Sequence, residues 1–536
     1  MNHDCDFLVI GSGFGGSVSA MRLAEKGYSV IVLEKGKEYK TEDFPKTNWQ
    51  VRKYLWIPLL RCFGFQELTF FSKLFVIRGV GVGGGSLVYA NTHLIPKDDF
   101  FKLPAWAGMN DWKNVLLPYY NRAKFMLGTT AYNKRYTADN VLLDIATEMG
   151  RAHTFKNVDV GVYFGDSEKE TDPYFAGEGP LRKGCTECAG CMVGCKFNAK
   201  NSLDKNYLHF ARKYGAKIHP EEKVTKIEFK DSHYIVETSS STSLFPKKKI
   251  YRSKGIIMSA GVIGTLEILL EQKHKFKTLP QLSECLGKQV RTNSESLCGA
   301  TSADRKLNHG IAISSGFYPD DNTHIEIVKF PDKSSAMGMM AGFSAGPGPG
   351  IIRIAKMIGH MISKPGKVLP WLFKYKWASR SVILLVMQTF DNSMRMTYKK
   401  GLFSGLKIMP EGAGKVPAYI ESGQNVANAF AAKTNGFSQN GLTEIAFNMS
   451  TTAHILGGAP MGTDASNGVI NDKMEVFNYP NMYIVDGSVI PGNPGVNPSL
   501  TITALAEYAM DQIPAKQGNV QKSLKDTLKE KGIAMP

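Results

Sequence analysis

A six-residue passage near the start of the chain, Gly11-Ser-Gly-Phe-Gly-Gly16, restricts the fold more than any other feature. It follows an apolar run, Cys5–Ile10, that reads as a buried strand, and it opens a helix predicted over Gly15–Lys26. A second strand is predicted over Ser29–Leu33, which completes a βαβ unit. In that setting the glycines divide the work. Gly11 permits the tight turn, Gly13 lets backbone approach a pyrophosphate, and Gly16 lets helix and strand pack closely. The helix N-terminus offers unpaired N–H groups to phosphate. Glu34 ends the second strand, eighteen residues after Gly16, where a carboxylate would bind ribose hydroxyls and repel a 2′-phosphate. The segment therefore reads as a dinucleotide-binding unit that disfavours NADP.

The fingerprint alone leaves NAD and FAD open. A second glycine run, Gly79-Val-Gly-Val-Gly-Gly-Gly-Ser86, has no place in a simple nicotinamide fold and could carry backbone against a further part of an extended FAD. Two more passages read as a buried strand delivering a turn: Ile256–Ala260 before Gly261 and Gly264, and Met482–Val485 before Asp486-Gly487. One nucleotide-binding domain assembled from separated pieces accounts for all of them. The expected fold class is α/β, with a Rossmann-like FAD-binding domain and a substrate domain built on a mixed or antiparallel sheet with covering helices. The predicted division gives 1–95, 181–292 and 450–515 to the first domain and 96–180 and 293–449 to the second. Residues 516–536 are left as a tail.

Lys+Arg 65 against Asp+Glu 48 gives a formal +17, which favours anionic partners such as nucleic acid, phospholipid headgroups or a phosphorylated cofactor. No helix-turn-helix, zinc-finger spacing or aromatic RNA-binding motif accompanies the charge, so nucleic acid is not expected. Collagen, coiled coil and multi-span membrane protein are excluded by composition and pattern. The N-terminal stretch lacks the basic start and long apolar core of a secretory signal, and no apolar run is long enough to span a bilayer. These features predict a cytoplasmic chain. Two segments, Val51–Phe75 and Ile351–Trp377, interleave bulky apolar residues with Lys and Arg. They read either as core packing or as lid or membrane-surface segments that would place the protein peripherally on an anionic membrane.

The passages DFLVIGSGFGGSVSAMRLAEKG, GVGVGGGSLVYAN, IIMSAGVIGT, TAHILGGAPMG and NMYIVDGSVIPGNPGVNPSLTITALAE together resemble the glucose–methanol–choline oxidoreductase family, and more closely its sterol-oxidising branch. The resemblance covers nearly the whole chain. It implies FAD and the oxidation of an alcohol to a carbonyl, and no feature points to covalent attachment of the flavin. By motif, His454 in AHILGG matches the family's active-site histidine and Asn497 in GVNPS matches the asparagine of the sterol oxidases. Glu326, in HIEIVKFP, matches their active-site carboxylate. The cofactor-binding set implied is Gly11, Gly13, Phe14, Gly15, Gly16, Glu34, Gly79, Gly83, Gly84, Gly85, Ser86, Asn91, Val224, Ala260, Gly261, Gly264, Asp486, Gly487, Asn497 and Pro498. The chain departs from the branch after the second glycine run, where Ser86-Leu-Val-Tyr89-Ala-Asn91 replaces SLVNGG. A polar contact to the flavin there would fall to Asn91 or be missing.

These residue types suit the chemistry. Oxidising a secondary alcohol removes a hydroxyl proton while hydride leaves carbon, and His454 can take that proton near neutral pH. Asn497 can donate to the developing carbonyl without a buried charge. Glu326 in an apolar pocket could shuttle a proton between ring carbons of a 5-ene-3-ketone. The expected substrate is therefore a 3-hydroxysteroid or another bulky alcohol, with O2 as acceptor. Cys185-x2-Cys188-x2-Cys191-x3-Cys195 has the spacing of an iron–sulfur ligand run, with zinc and unliganded thiols as alternatives. A cluster, 4Fe-4S or 3Fe-4S, would make the chain a dehydrogenase passing electrons to a partner. A non-enzymatic basic binding protein is the reading furthest from the motifs.

Overall fold

The computed structural model describes residues 3–106, 108–372, 376–401, 404–412 and 416–536, with the backbone alone for 369–372. A parallel sheet runs in the order Lys217–His219, Val30–Leu33, Cys5–Ile10, Lys248–Met258, Met482–Ile484. Cys5–Ile10 lies near its centre, and all six of its residues are buried. That is why its sequence is a continuous apolar run rather than an alternating one.

Lys248–Met258 changes partners along its length within one seven-stranded mixed sheet. Its first half pairs antiparallel with His233–Ser240, which pairs in turn with Glu222–Lys230. Its second half pairs parallel with Cys5–Ile10 and Met482–Ile484. Burial follows the change of partner: Tyr251 and Ser253 are buried with exposed neighbours, then Gly255 to Met258 are buried without interruption. The helix Phe14–Glu25 packs between this sheet and the helix Ser499–Asp511. Arg22 donates Nε and Nη2 to the two Glu507 oxygens, each at 2.8 Å, across 485 residues of sequence. Both partners are buried, and each has a second counter-charge, Glu25 for Arg22 and Arg122 for Glu507, so the four side chains form one ionic network that ties the two helices together.

A second, wholly antiparallel sheet has seven strands, in the order Ala341–Phe343, Phe437–Gly441, Ser296–Thr301, Ser381–Gln388, Thr323–Val328, Ile313–Asp320, Lys156–Asn157. The two-residue period of its central strands divides their side chains cleanly. Ile325, Ile327, Val382, Leu384 and Val386 point to one face and pack with Val141, Leu142 and Phe430 of the helices Thr137–Glu148 and Glu421–Lys433. Leu297, Val328, Ile383 and Leu385 point to the other face and line a cavity that reaches the parallel sheet.

The two mixed apolar and basic segments each divide. In Val51–Phe75, Tyr54, Trp56 and Phe65 are buried, whereas Leu59 (91% exposed), Leu60 and Phe70 face outward. In the helix Gly350–Ser363 the arrangement is inverted: only Arg353 is buried, and Ile351, Ile354, Ile358 and Ile362 are exposed. Arg353 anchors the helix by donating Nη2 to Glu444 Oε1 at 2.5 Å and Nη1 to Glu444 O at 3.0 Å. Phe373 and the side chains of Leu369, Trp371 and Leu372 lie outside the described residues. Among the described residues, no helix is long and apolar enough to cross a membrane.

Candidate active site

The cavity between the sheets, about 910 Å³, is the setting of the site. One end is made of backbone turns. Gly11 holds φ +93°, a left-handed conformation, and a Cβ there would stand 2.2 Å from Ser259 O. Gly15 is equally tight, 1.8 Å from Val485 O just past the strand Met482–Ile484, and a Cβ at Gly16, the third glycine of the fingerprint, would stand 2.0 Å from Gly11 O. Gly13 is different: a Cβ there meets no protein atom within 4 Å, although Gly13 lines the cavity. The same holds at Gly261. These open, side-chain-free surfaces at the N-termini of the helices Phe14–Glu25 and Gly261–Glu271 fit an anionic dinucleotide. The second glycine run presses on the first, since a Cβ at Gly84 would lie 2.7 Å from Gly13 Cα.

Most of the expected cofactor residues stand at the cavity wall: Gly11, Gly13, Phe14, Gly15, Glu34, Gly79, Gly84, Gly85, Val224, Ala260, Gly261, Gly264, Asp486, Gly487, Asn497 and Pro498. Gly16, Gly83, Ser86 and Asn91 do not. Ser86 turns its hydroxyl into protein, donating to Gly83 O and accepting from Leu203 N–H. Asn91 is buried with φ +70° and neither carboxamide atom bonded; its neighbours Ala90 and Thr92 reach the wall in its place. Glu34 accepts from Ser12 Oγ at 2.7 Å and from Gly36 N–H at 2.8 Å. It therefore braces the first turn as well as facing the cavity.

At the far end the walls are apolar, with Tyr54, Phe71, Met192, Phe330 and Met337 joining the sheet's inner face. His454 and Asn497 lie at the wall. Asn497 donates Nδ2 to Glu326 Oε2 at 3.1 Å. Glu326 is fully buried on Thr323–Val328, and burial pushes its carboxyl up to about 7 against the pull of the Asn497 N–H and of His454. The structure thus brings the three candidate catalytic residues to one place. It adds one that the sequence did not disclose. Glu295, fully buried, accepts from His454 Nδ1 through Oε1. Through Oε2 it accepts from Thr452 Oγ1 at 2.6 Å and Ala453 N–H at 2.8 Å. Burial lowers the His454 pKa, but Glu295, with Glu326 adding to it, outweighs burial and raises it. No motif surrounds Glu295, and 159 residues separate it from His454.

The cysteine run does not form the metal centre that its spacing suggested. Among the described residues, no group of three or more His, Cys, Asp or Glu side chains is gathered to hold a metal ion. Cys185, Cys188, Cys191 and Cys195 are free thiols. Cys188 faces solvent, while Cys191 is buried at the start of a single 3-10 turn. Burial pushes the Cys191 thiol up to about 11, against the pull of the nearby Lys200 ammonium. The loop's visible role is structural. Lys200 Nζ donates to the carbonyls of Cys191, Leu87 and Tyr89, each at 2.9 Å, and so ties the loop to the second glycine segment.

The FAD binding domain matches residues 6–42, and the N- and C-terminal GMC oxidoreductase domains match 181–272 and 395–506. A cholesterol oxidase of Acinetobacter baumannii is 43% identical over 534 residues, covering 96% of this chain and 95% of its own. A cholesterol oxidase of Mycobacterium tuberculosis (strain ATCC 25618 / H37Rv) is 40% identical over 535 residues, covering 96% and 92%. Among solved structures, pyridoxine 4-oxidase from Mesorbium loti superposes with a TM-score of 0.61 at 14% identity, over 95% of this chain and 99% of that one. That last likeness is one of fold. The chain belongs to the GMC oxidoreductase family, the FAD-dependent enzymes that oxidise alcohols.

Proposed function

We propose that the chain oxidises the 3-hydroxyl of a steroid to the ketone, with O2 as electron acceptor. The observation that carries this reading is a single cavity walled by glycine turns and by apolar side chains, with His454 and Asn497 on its wall and Glu326 bonded behind Asn497. The relatives named cholesterol oxidase supply the substrate class and the acceptor. The turns at Gly11–Gly15, Gly84-Gly85 and Gly261 would hold the FAD phosphates and backbone-facing parts, with Glu34 at a ribose and Asp486-Gly487 toward the ring. Bound there, the flavin supplies a hydride acceptor.

The chain's own residues do the rest. The apolar walls exclude water and hold a rigid hydrocarbon body by burying its surface, worth about 25 cal/mol per Å². His454 presents Nε2, its Nδ1 being engaged, and accepts the hydroxyl proton as hydride leaves the carbinol carbon. Asn497 steadies the new carbonyl oxygen or the flavin edge. Glu326, pushed up to about 7 and so partly ionised at neutral pH, takes in its carboxylate form a proton from one ring carbon of a 5-ene-3-ketone and returns it to another, giving the 4-ene product. A carboxyl tuned by an apolar site is suited to that transfer.

A steroid lies in a bilayer with its hydroxyl at the interface, and the outward isoleucines of Gly350–Ser363 suit contact with that surface. A cleft lined by Ser72, Lys73, Gly350, Ile351 and Phe447 joins this helix to the Phe70 hairpin. Phe71 and Met337 of the adjoining segments line the cavity itself. We therefore place the docking face beside the cavity mouth, with anionic lipid answering the net positive charge. The deciding experiment is oxygen uptake by the FAD-loaded protein with a 3-hydroxysteroid, its 3-keto counterpart and a long-chain primary alcohol. Uptake with the hydroxysteroid alone supports the reading, and uptake with the primary alcohol alone overturns it.

A further inference from the structure

The turn Asn293-Ser294-Glu295 touches both loops that carry the candidate catalytic pair. Asn293 and Ser294 hold φ +56° and +46°, left-handed conformations that are uncommon for residues other than glycine and persist where surrounding contacts enforce them. Those contacts are specific. Asn293 Nδ2 donates to Val496 O at 3.1 Å, and Asn293 Oδ1 accepts from Gly495 N–H at 2.9 Å, so both ends of one carboxamide clamp the loop that delivers Asn497. One residue beyond Ser294, Glu295 turns the other way and meets His454 Nδ1. Its second oxygen is held by Thr452 Oγ1 and Ala453 N–H, and Thr452 Oγ1 also accepts from His454 N–H at 2.8 Å. The carboxylate is thereby fixed against the imidazole from both directions.

Resting on the alcohol-oxidising reading above, we infer that Glu295 is the positioning residue of the reaction: it holds His454 in the tautomer with the proton on Nδ1 and steadies the imidazolium formed when Nε2 takes the alcohol proton. In that step the O–H bond breaks, its proton goes to Nε2, the hydride leaves the same carbinol carbon for the flavin, and C–O becomes C=O. The Nδ1 proton stays on His454, and Glu295 remains a carboxylate throughout. A buried carboxylate opposite the basic nitrogen is the arrangement that orients a histidine base in hydrolytic triads, here serving removal of a hydroxyl proton. The Asn293 clamp sets Asn497 at a fixed separation from that histidine, because one short turn holds both.

Two measurements test this. The first uses the unmodified FAD-loaded protein: nitrogen NMR of 15N-histidine-labelled protein, with His454→Gln supplying the assignment, reads the tautomer and titration of His454 directly. The expected result is a proton on Nδ1 at high pH and a titration above the ordinary histidine value. A His454 protonated on Nε2 at high pH, or titrating at or below that value, overturns the inference whatever any variant does. The second is Glu295→Gln, which keeps shape and loses charge. It should retain FAD, lower kcat by about 10²-fold or more with KM changed less than about threefold, and move the acid limb of kcat/KM to lower pH. Unchanged kcat and an unmoved limb overturn it. His454→Gln separates the two claims: if that variant is inactive and Glu295→Gln is fully active, only the role of Glu295 falls. If His454→Gln is fully active, the roles of His454 and Glu295 both fall while alcohol oxidation stands, and if the unmodified protein oxidises no alcohol, the reading beneath the inference falls.

Discussion

Asn497 gives one amide N–H to Glu326 Oε2 at 3.1 Å, while Glu326 Oε1 has no partner among the described residues. Ionising the buried acid leaves that oxygen's charge unanswered, so burial favours the protonated form up to about pH 7. The unfolded chain gives up this proton near 4.5 and the folded chain near 7. Between those values the folded state holds the extra proton, so its stability falls as pH rises, by about 3 kcal/mol across the window. Glu326→Gln should therefore melt a few degrees above the wild type at pH 8 and alongside it at pH 4.5. The same variant should still form ketone from a 5-ene-3-hydroxysteroid but lose the conjugated enone, read by its ultraviolet absorbance. Enone formation at the wild-type rate would remove Glu326 from proton transfer.

Substitutions at Gly13, which is open, and Gly15, which is tight, should fail in different ways. Gly13→Ala places a methyl where no protein atom lies within 4 Å, so the fold should survive while FAD affinity drops about tenfold or more, a loss of about 1.4 kcal/mol. Gly15→Ala drives a methyl into Val485 O and should prevent the folded protein from accumulating. Flavin titration of the first variant and soluble yield of the second check the pair. Full affinity in Gly13→Ala would place the pyrophosphate elsewhere.

His454→Ala should reduce turnover by about 10²-fold or more with the flavin still bound. Stopped-flow reduction under anaerobic conditions isolates the step concerned. Reduction at the wild-type rate would leave His454 as a packed side chain of the wall.

Replacing Ile351, Ile358 and Ile362 together by serine should leave thermal stability unchanged, since all three are exposed. Binding to vesicles of mixed neutral and anionic phospholipid should weaken, and raising the salt should weaken wild-type binding too. Activity on vesicle-held sterol should fall more than activity on a short soluble alcohol. Equal losses on both would show that the face serves the fold and not a membrane.

Much of this site could be read from short sequence windows. The strand before Gly11, the glycine spacing and Glu34 announce themselves because a single βαβ unit contains all their contacts. His454, Asn497 and Glu326 were reached by motif, and the period of two along Thr323–Val328 accounts for Glu326 facing the cavity side. Glu295 and Asn293 stayed hidden because their partners lie 159 and about 200 residues away, and a buried acid at a strand start carries no local signature. The cysteine run misled for the complementary reason. Ligand spacing is a local property, whereas bringing four sulfurs together depends on how the loop is laid over its neighbours, and here Lys200 pins Cys191 by its carbonyl. The isoleucine helix shows the same limit: its period is plain, but which face is covered was decided by Arg353 and Glu444.

The Arg22–Glu507 pair has a consequence for how the molecule is made. The helix Phe14–Glu25 leaves the ribosome long before the helix that neutralises its arginine, and the strand Cys5–Ile10 emerges well ahead of Met482–Ile484, two places away in its sheet. At elongation rates of about 5–20 residues per second, the nascent glycine turn waits tens of seconds with an unfinished sheet and an arginine paired only with Glu25 of its own helix. The cradle closes only when Val485 arrives to back Gly15. The cradle that would hold the flavin is therefore complete only once both ends of the chain have been made.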